Sequence, residues 1–314
     1  MSKNPKKQEK YIAGIDCGGS KVKLMIANAN TGRIVGKKTI EGCGLFSGND
    51  KIVKRGINNI LERDFKIKKA NIDIICLGVA GYLSLKDDKS RKEVPSRLGL
   101  PENTIVMSDL ELIMRSSFKN QDGIVIICGT GSSAIGIVKD KDIVRVDGWG
   151  HLLGDRASGY WLSLLALRQA VIDFDHSGIP NKLLREAFKF FKVKDIRGVL
   201  SALHKENSKK IIASFAPVVI NMAEQGERIS KYSLNKCLEN LGEIAGLIYS
   251  KTDRITDNIA LSGGLFNNKY FLKLAKKTIM KHIKKANIFH SIIEPEFAAL
   301  TIAAEKSGVA LMKN

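Results

Sequence analysis

The sequence predicts an α/β protein built from two related domains, each with a mixed sheet flanked by helices. Three observations predict it. A buried apolar strand runs into a small-residue turn and leaves as a second strand at two places, residues 11–28 and 122–138. Strands alternate with helices after the first of these meanders. At 314 residues, 44% of them hydrophobic and 26% charged, the chain also exceeds the size at which a single core usually splits.

The elements follow in order. YIAGID (Tyr11 to Asp16) enters Cys17-Gly18-Gly19-Ser20, leaves as KVKLMIANA, turns at Asn30-Thr31-Gly32 and returns as RIVGKKTI. Residues 49–66 read as a helix, Asn71 to Gly81 as a buried strand ending in a glycine turn, and 87–98 as a helix. Thr104 to Asp109 is a strand leading into the helix LELIMRSSF. Gln121-Asp122-Gly123 marks the crossing into the second copy, whose strand meets Gly129-Thr130-Gly131-Ser132 and continues as Ala134 to Val138, a turn at Lys139 to Asp142, and a third strand. From Ser158 the spacing of Trp161, Leu164, Leu165, Leu167, Val171 and Ile172 predicts a helix that stops at Gly178 and Pro180. Helices over 181–205, 208–223 and 228–251 come next, then the strand NIALS, Gly263-Gly264 and a helix from about Asn268.

Both turns have the chemistry of phosphate loops. Glycines let the main chain approach a charged ligand, and successive N–H groups form an anion-binding concavity that needs no basic side chain. Two such hairpins point to a nucleotide; ordinary glycine hairpins without a ligand are the bland reading. Gly129 to Ala134 also satisfies G-x-G-x-x-G/A, but a dinucleotide site needs a helix directly after the loop, and here a strand follows. A Walker A loop is absent. Strand, double glycine and helix at 258–268 again place amides and a helix N-terminus where a nucleotide could sit.

Composition narrows the function class. No apolar run approaches the ~18 residues of a membrane span, and MSKNPKKQEK lacks the apolar stretch of a signal peptide, so a cytoplasmic protein without membrane partners is expected. Five cysteines without C-x-x-C spacing read as buried free thiols, and no His/Cys cluster has zinc spacing. The metal expected is a hard cation accompanying the nucleotide. The net charge of +19 invites nucleic acid, but the lysines are spread over the N-terminal tail and helix surfaces with few aromatics, which argues against it.

DCGGSK at 16–21, the strand end at Asp109, CGTGSS at 128–133, GWGHLLGD at 148–155, AEQGE at 223–227 and LSGGLFNN at 261–268 occur in an order that resembles N-acetylglucosamine kinases and the related BadF/BadG/BcrA/BcrD ATPase family. That family lies in the sugar kinase, Hsp70 and actin superfamily. The resemblance implies two ribonuclease-H-like (actin-like ATPase) domains, with nucleotide and substrate in the interdomain cleft. Residues 1–120 would be the first domain, completed by a C-terminal helix at 295–314. Residues 121–294 would be the second, carrying the helical insertion. It implies ATP and Mg²⁺ as cofactors, a small-molecule sugar as partner, and leaves a homodimer open.

The residue roles follow. Asp109 either N-caps the helix starting at Leu110 or serves as catalytic base; the resemblance implies the base, which also touches the sugar. Asp16 would hold Mg²⁺, with Gly18, Gly19, Ser20 and Lys21 on phosphate oxygens. Gly129, Thr130, Gly131 and Ser132 would form the opposing hairpin, and Gly263, Gly264, Asn268 and Gly226 the adenosine side. Gly148, Trp149, Gly150, His151 and Asp155 resemble the sugar loop, with Trp149 as a buried anchor and His151 as a structural donor the bland alternatives. Gly78, Ala80 and Gly81 would close the other side of the pocket. The family often reads G-D-E-G-S where this chain has Gly154-Asp155-Arg156-Ala157-Ser158, and the stretch from Glu41 to Ser47 lacks the usual sugar-facing asparagine. The acceptor is therefore N-acetylglucosamine first, with glucosamine, N-acetylmuramic acid and hexoses open. An ATPase activating a 2-hydroxyacyl-CoA dehydratase is the alternative, although its C-A-A-G-T-G arrangement is not reproduced.

Overall fold

Near-continuous burial of its inner strands builds the first sheet. The computed structural model describes residues 9–18, 21–41, 50–82, 85, 88–118, 122–138, 142–204, 208–291 and 294–312. Strands β1 (Tyr11–Cys17), β2 (Lys21–Asn28) and β3 (Ile34–Glu41) form an antiparallel meander. Ile12, Ile15, Val22 and Leu24 are wholly buried, as β-branched and apolar side chains on a pleated surface favour. Helix α1 (Asp50–Asn59) ends in a wider turn at Ile60–Asp64. Strand β4 (Ile72–Val79) then lies parallel to β1. Two short helices, α2 (Asp88–Lys92) and α3 (Val94–Leu98), precede β5 (Ile105–Ser108), which is parallel to β4 and passes directly into α4 (Asp109–Phe118). The single helix expected over 87–98 is thus two, because Pro95 lacks an N–H and suits only a first turn.

The second sheet repeats the plan. Strands β6 (Ile124–Cys128), β7 (Ser132–Val138) and β8 (Asp142–Asp147) form its meander. The helical stretch is α5 (Gly159–Ser177), α6 (Lys182–Phe191), α7 (Ile196–Leu203), α8 (Ser208–Ala213), α9 (Ala216–Glu224) and α10 (Arg228–Lys251). The helix expected over 181–205 breaks where Lys192 turns left-handed at φ 56° and Asp195 caps a new start. The one expected over 208–223 breaks ahead of Pro217, which occupies the first turn of α9. Strand β9 (Asn258–Ser262) runs parallel to β6, and after α11 (Lys269–His282) a short β10 (Asn287–His290) runs parallel to β9.

Strand orders are β3-β2-β1-β4-β5 and β10-β9-β6-β7-β8, the same path traced twice. The final helix α12 (Pro295–Lys306) covers β1 and β4 of the first sheet. Gly14 makes this possible: a Cβ there would stand 2.2 Å from the Leu300 backbone nitrogen. By contacts the chain divides into two units, Met1–Lys119 with Ile293–Asn314, and Asn120–Ile292. Among the described residues no helix is long and apolar enough to cross a membrane.

Candidate active site

In the first unit, the carboxyl ends of β1, β4 and β5 gather one group of expected site residues. Asp16 stands in register with Lys23 on β2 and with Gly78 on β4. Gly78 has no room for a side chain, since a Cβ would meet Leu112 Cδ1 of α4 at 2.0 Å, so that helix seats close against β4. Ala80 N–H donates to Cys17 O at 2.9 Å and Gly81 turns at φ 83°, closing the end of β4. Gly18 N–H donates to Lys21 O at 2.9 Å, across the first hairpin. Gly19 and Ser20 lie outside the described residues, as do residues 42–47 of the Glu41–Ser47 stretch that lacks the sugar-facing asparagine.

Asp109 is the first residue of α4, and its neighbours do the capping. Ser108 Oγ accepts from Glu111 N–H at 3.1 Å, while Glu111 Oε2 accepts from Ser108 N–H at 2.8 Å. This reciprocal pair is a capping box, so the helix start does not depend on the Asp109 carboxylate. Among the described residues the Asp109 carboxylate accepts locally, from Leu110 N–H at 3.0 Å and from its own N–H. The box is legible as Ser-Asp-Leu-Glu, a signal the N-cap reading of Asp109 overlooked.

The same corner gathers acidic side chains. Burial lifts the Asp109 carboxyl to about 6, with the Glu111 charge adding to it and the nearby amides opposing. Burial also lifts Asp16 to about 7, reinforced by the charge of Asp109 and then of Glu296, and opposed by Lys23. Glu296, in the first turn of α12, is wholly buried and lies 3.4 Å from Lys23 Nζ and 3.6 Å from Lys37 Nζ. Sequence reasoning missed Lys23, which the β1–β2 register sets opposite Asp16, and Glu296, which the packing of α12 on β1 brings to Lys23. Among the described residues no three His, Cys, Asp or Glu side chains form a metal cage.

In the second unit the Gly129–Ser132 hairpin is braced from several sides. Gly129 N–H donates to Gly131 O at 2.8 Å, and Gly159 N–H, at the start of α5, donates to Gly129 O at 2.8 Å. Ser132 Oγ donates to Asp147 Oδ2 at 2.6 Å and accepts from Ala157 N–H at 3.0 Å. Arg156 N–H adds a bond to the same Asp147 oxygen at 3.1 Å. Burial raises the Asp147 carboxyl, against the Ser132 and Arg156 bonds that lower it. Ser132 N–H donates to Asp155 Oδ1 at 3.2 Å, and Lys209 Nζ of α8 pairs with Asp155 Oδ2 at 2.7 Å. Asp147 and Asp155 both adopt left-handed backbone, at φ 62° and 56°, which a non-glycine residue keeps only where its surroundings impose it.

The expected adenosine side adjoins this hairpin. Gly263, at φ 106°, lies so close to the end of β6 that a Cβ would stand 2.5 Å from Cys128 O. Gly264 has open space on its Cβ side, and a Cβ on Gly129 would lie 3.8 Å from Gly264 N. Asn268 caps α11 by accepting from Phe271 N–H at 2.9 Å and donates to Asn221 of α9 at 3.3 Å. Gly226, exposed at φ 90°, ends the α9 turn. Thr130 is exposed at the hairpin tip.

The loop expected to meet the sugar splits into two parts. Gly148 and Gly150, at φ 74° and 82°, present Trp149 and His151 on the surface. Trp149 is 65% exposed with the Arg145 guanidinium 4.2 Å above its ring, so it is not a buried anchor. His151 meets Tyr160 edge-on at 5.0 Å. Asp155 instead is buried and turned to the hairpin and Lys209. Arg156, where the family often has glutamate, pairs with Glu243 of α10 at 2.9 Å.

The sequence profile of the BadF/BadG/BcrA/BcrD ATPase family matches residues 13–303, which takes in both sheets and all but the end of the last helix. The chain belongs to that family. Among curated relatives, an N-acetylmuramic acid/N-acetylglucosamine kinase of Clostridium acetobutylicum is 28% identical over 302 residues, covering 94% of this chain and 98% of the relative. An N-acetyl-D-glucosamine kinase of Dictyostelium discoideum is 26% identical over 313 residues, again covering 94% and 98%. In fold, the chain is similar to a Chromobacterium violaceum protein solved as a candidate N-acetylglucosamine kinase, with a TM-score of 0.73 at 18% identity, covering 94% of this chain and 99% of the other. A BadF/BadG/BcrA/BcrD ATPase fold is therefore the frame in which both groups of residues stand.

Proposed function

We propose that the protein is a sugar kinase that transfers the γ-phosphate of ATP to a hydroxyl of an amino sugar, N-acetylglucosamine first among them, with Asp109 as the base. The observation that carries this reading is the carboxylate of Asp109, held at a strand end and released from capping by Ser108 and Glu111. A carboxyl near 6 is ionised at neutral pH yet basic enough to take a hydroxyl proton as the bond to phosphorus forms. The family and the names of the two curated relatives support both the nucleotide and the acceptor class.

The residues present fit Mg²⁺ and ATP. Asp16 and Asp109 leave uncompensated negative charge in one corner, which suits a hard cation held by one or two carboxylates plus water and phosphate oxygens. Bound there, the cation supplies charge neutralisation on the phosphates. Asp16 would take the inner or water-bridged position, and Lys23 limits its charge. On the second unit, the Thr130–Gly131 turn would face a phosphate chain, and the open side of Gly264 would let the nucleoside approach the backbone. The exposed Trp149 and His151 would meet the sugar.

The dehydratase-activating alternative needs thiolates that bridge a cluster. Cys17, Cys76, Cys128 and Cys237 are buried, and burial pushes the Cys76 and Cys237 thiols up to about 12. The kinase reading is tested by Mg²⁺-ATP-dependent ADP release across N-acetylglucosamine, glucosamine, N-acetylmuramic acid, glucose and N-acetylmannosamine, with a no-sugar control. Stimulation by an amino sugar is expected. Release that no sugar changes would end this reading.

A further inference from the structure

We propose that Lys209 of α8 is a phosphate-binding residue, the cation that the Gly129–Ser132 hairpin lacks in its own sequence. The inference rests on the nucleotide reading above. A phosphate loop built of amides alone is neutral, and the chain has no Walker-type lysine next to it. Here the first carboxylate oxygen of Asp155 already accepts from the Ser132 amide at 3.2 Å. An anionic group thus rests at the hairpin, which shows that the loop accepts negative charge and also sets a repulsive carboxylate beside any incoming phosphate. Lys209 lies 2.7 Å from the other Asp155 oxygen.

Exposure differs sharply across that pair. The Asp155 side chain is 5% exposed and the Lys209 side chain 35%, so the ammonium forms the outer member. A lysine carries three N–H donors, and Asp155 uses one among the described contacts. The remaining donors are the ones a phosphate oxygen would take. Gly131 makes room for the carboxylate that holds Lys209: a Cβ there would lie 3.0 Å from both Asp155 oxygens. Asp155 holds its place through left-handed backbone and a bond to the hairpin, and so fixes Lys209 at the loop before any ligand arrives.

A purely structural lysine would only neutralise the buried Asp155. The two roles separate in a double-variant cycle of Lys209→Gln, Asp155→Asn and both together, read by equilibrium binding of ATP, ADP and adenosine and by thermal melting. If Lys209 binds phosphate, Lys209→Gln weakens ATP and ADP by about 10- to 100-fold, the range of a lost charge-assisted bond, and leaves adenosine unchanged. The double variant then regains melting temperature, because no charge is stranded, but binds ATP more weakly than Asp155→Asn alone. Lys209→Arg keeps most of the affinity. If the double variant binds ATP as tightly as Asp155→Asn alone, or if Lys209→Gln never loses affinity, Lys209 is a structural neutraliser and the proposal is overturned. A wild-type protein that binds neither ATP nor ADP would instead overturn the nucleotide reading beneath it.

Discussion

At the residue scale, a carboxylate becomes useful when its neighbours take over its structural duties. Ser108 and Glu111 cap α4, and Asp109 retains a raised carboxyl that local amides only partly offset. The sign of its pH dependence follows. A base works deprotonated, so kcat/KM should climb with pH through about 6 and level off above it, the Asp16–Asp109 pair titrating together. A profile falling across that window would contradict the assignment. Stability runs the other way: a carboxyl that binds its proton more tightly when folded loses stability as pH rises from the unfolded value toward the folded one. Asp109→Asn should therefore melt like the wild type at about pH 4 and be stabilised at about pH 8, by on the order of 1–2 kcal/mol after solvent screening, in metal-free buffer. Destabilisation at the higher pH would contradict it. Gly131→Val is expected to weaken ATP by at least about tenfold, because its side chain would displace the Asp155 carboxylate from the hairpin; an unchanged affinity would remove this loop from the nucleotide site.

At the element scale, backbone-to-backbone closeness decides what sequence pattern cannot. Gly14 lets α12 lie against β1, and this packing brings Glu296 to Lys23 beside Asp16. Gly14→Ala should cost about 1–3 kcal/mol, an overpacking penalty with no flexible side chain to yield, measured by denaturant unfolding. A loss below a few tenths of a kcal/mol would show that the helix does not seat as tightly as described. Both meanders, the strand–helix alternation and the hairpin glycines were legible in the sequence, because a two-residue period and small-residue turns are local signals. The breaks at Glu93, at Lys192–Asp195 and before Pro217 were present as proline, polar and cap residues but lost inside longer apolar patterns. The strand β10 was not legible: four residues, half of them polar, carry no period. Among site residues, Asp16, Asp109 and the glycines announced themselves by their place at strand ends. Lys209 and Glu296 could not, since long-range packing gives each of them its neighbour, whereas Lys23 stands opposite Asp16 by the register of the β1–β2 hairpin alone.

At the scale of the whole molecule, one strand path used twice is the simplest reading of the two glycine hairpins. Each unit brings a hairpin and a set of strand ends, but the chemistry is unequal: the first carries the buried carboxylates, and the second carries the amide loop with Lys209 and the open glycine turn. A net charge of +19 spread over the surface adds a general attraction for anionic ligands such as ATP. The most direct measurement follows the phosphate itself. Wild type and Asp109→Asn are incubated with γ-labelled ATP, Mg²⁺ and N-acetylglucosamine, with label in sugar phosphate and nucleotide binding both recorded. The account predicts label in the sugar for the wild type and, for the variant, a ~10²- to 10⁴-fold slower transfer with ATP binding retained. Label released only as inorganic phosphate, or an Asp109→Asn variant that transfers at the wild-type rate, would contradict it.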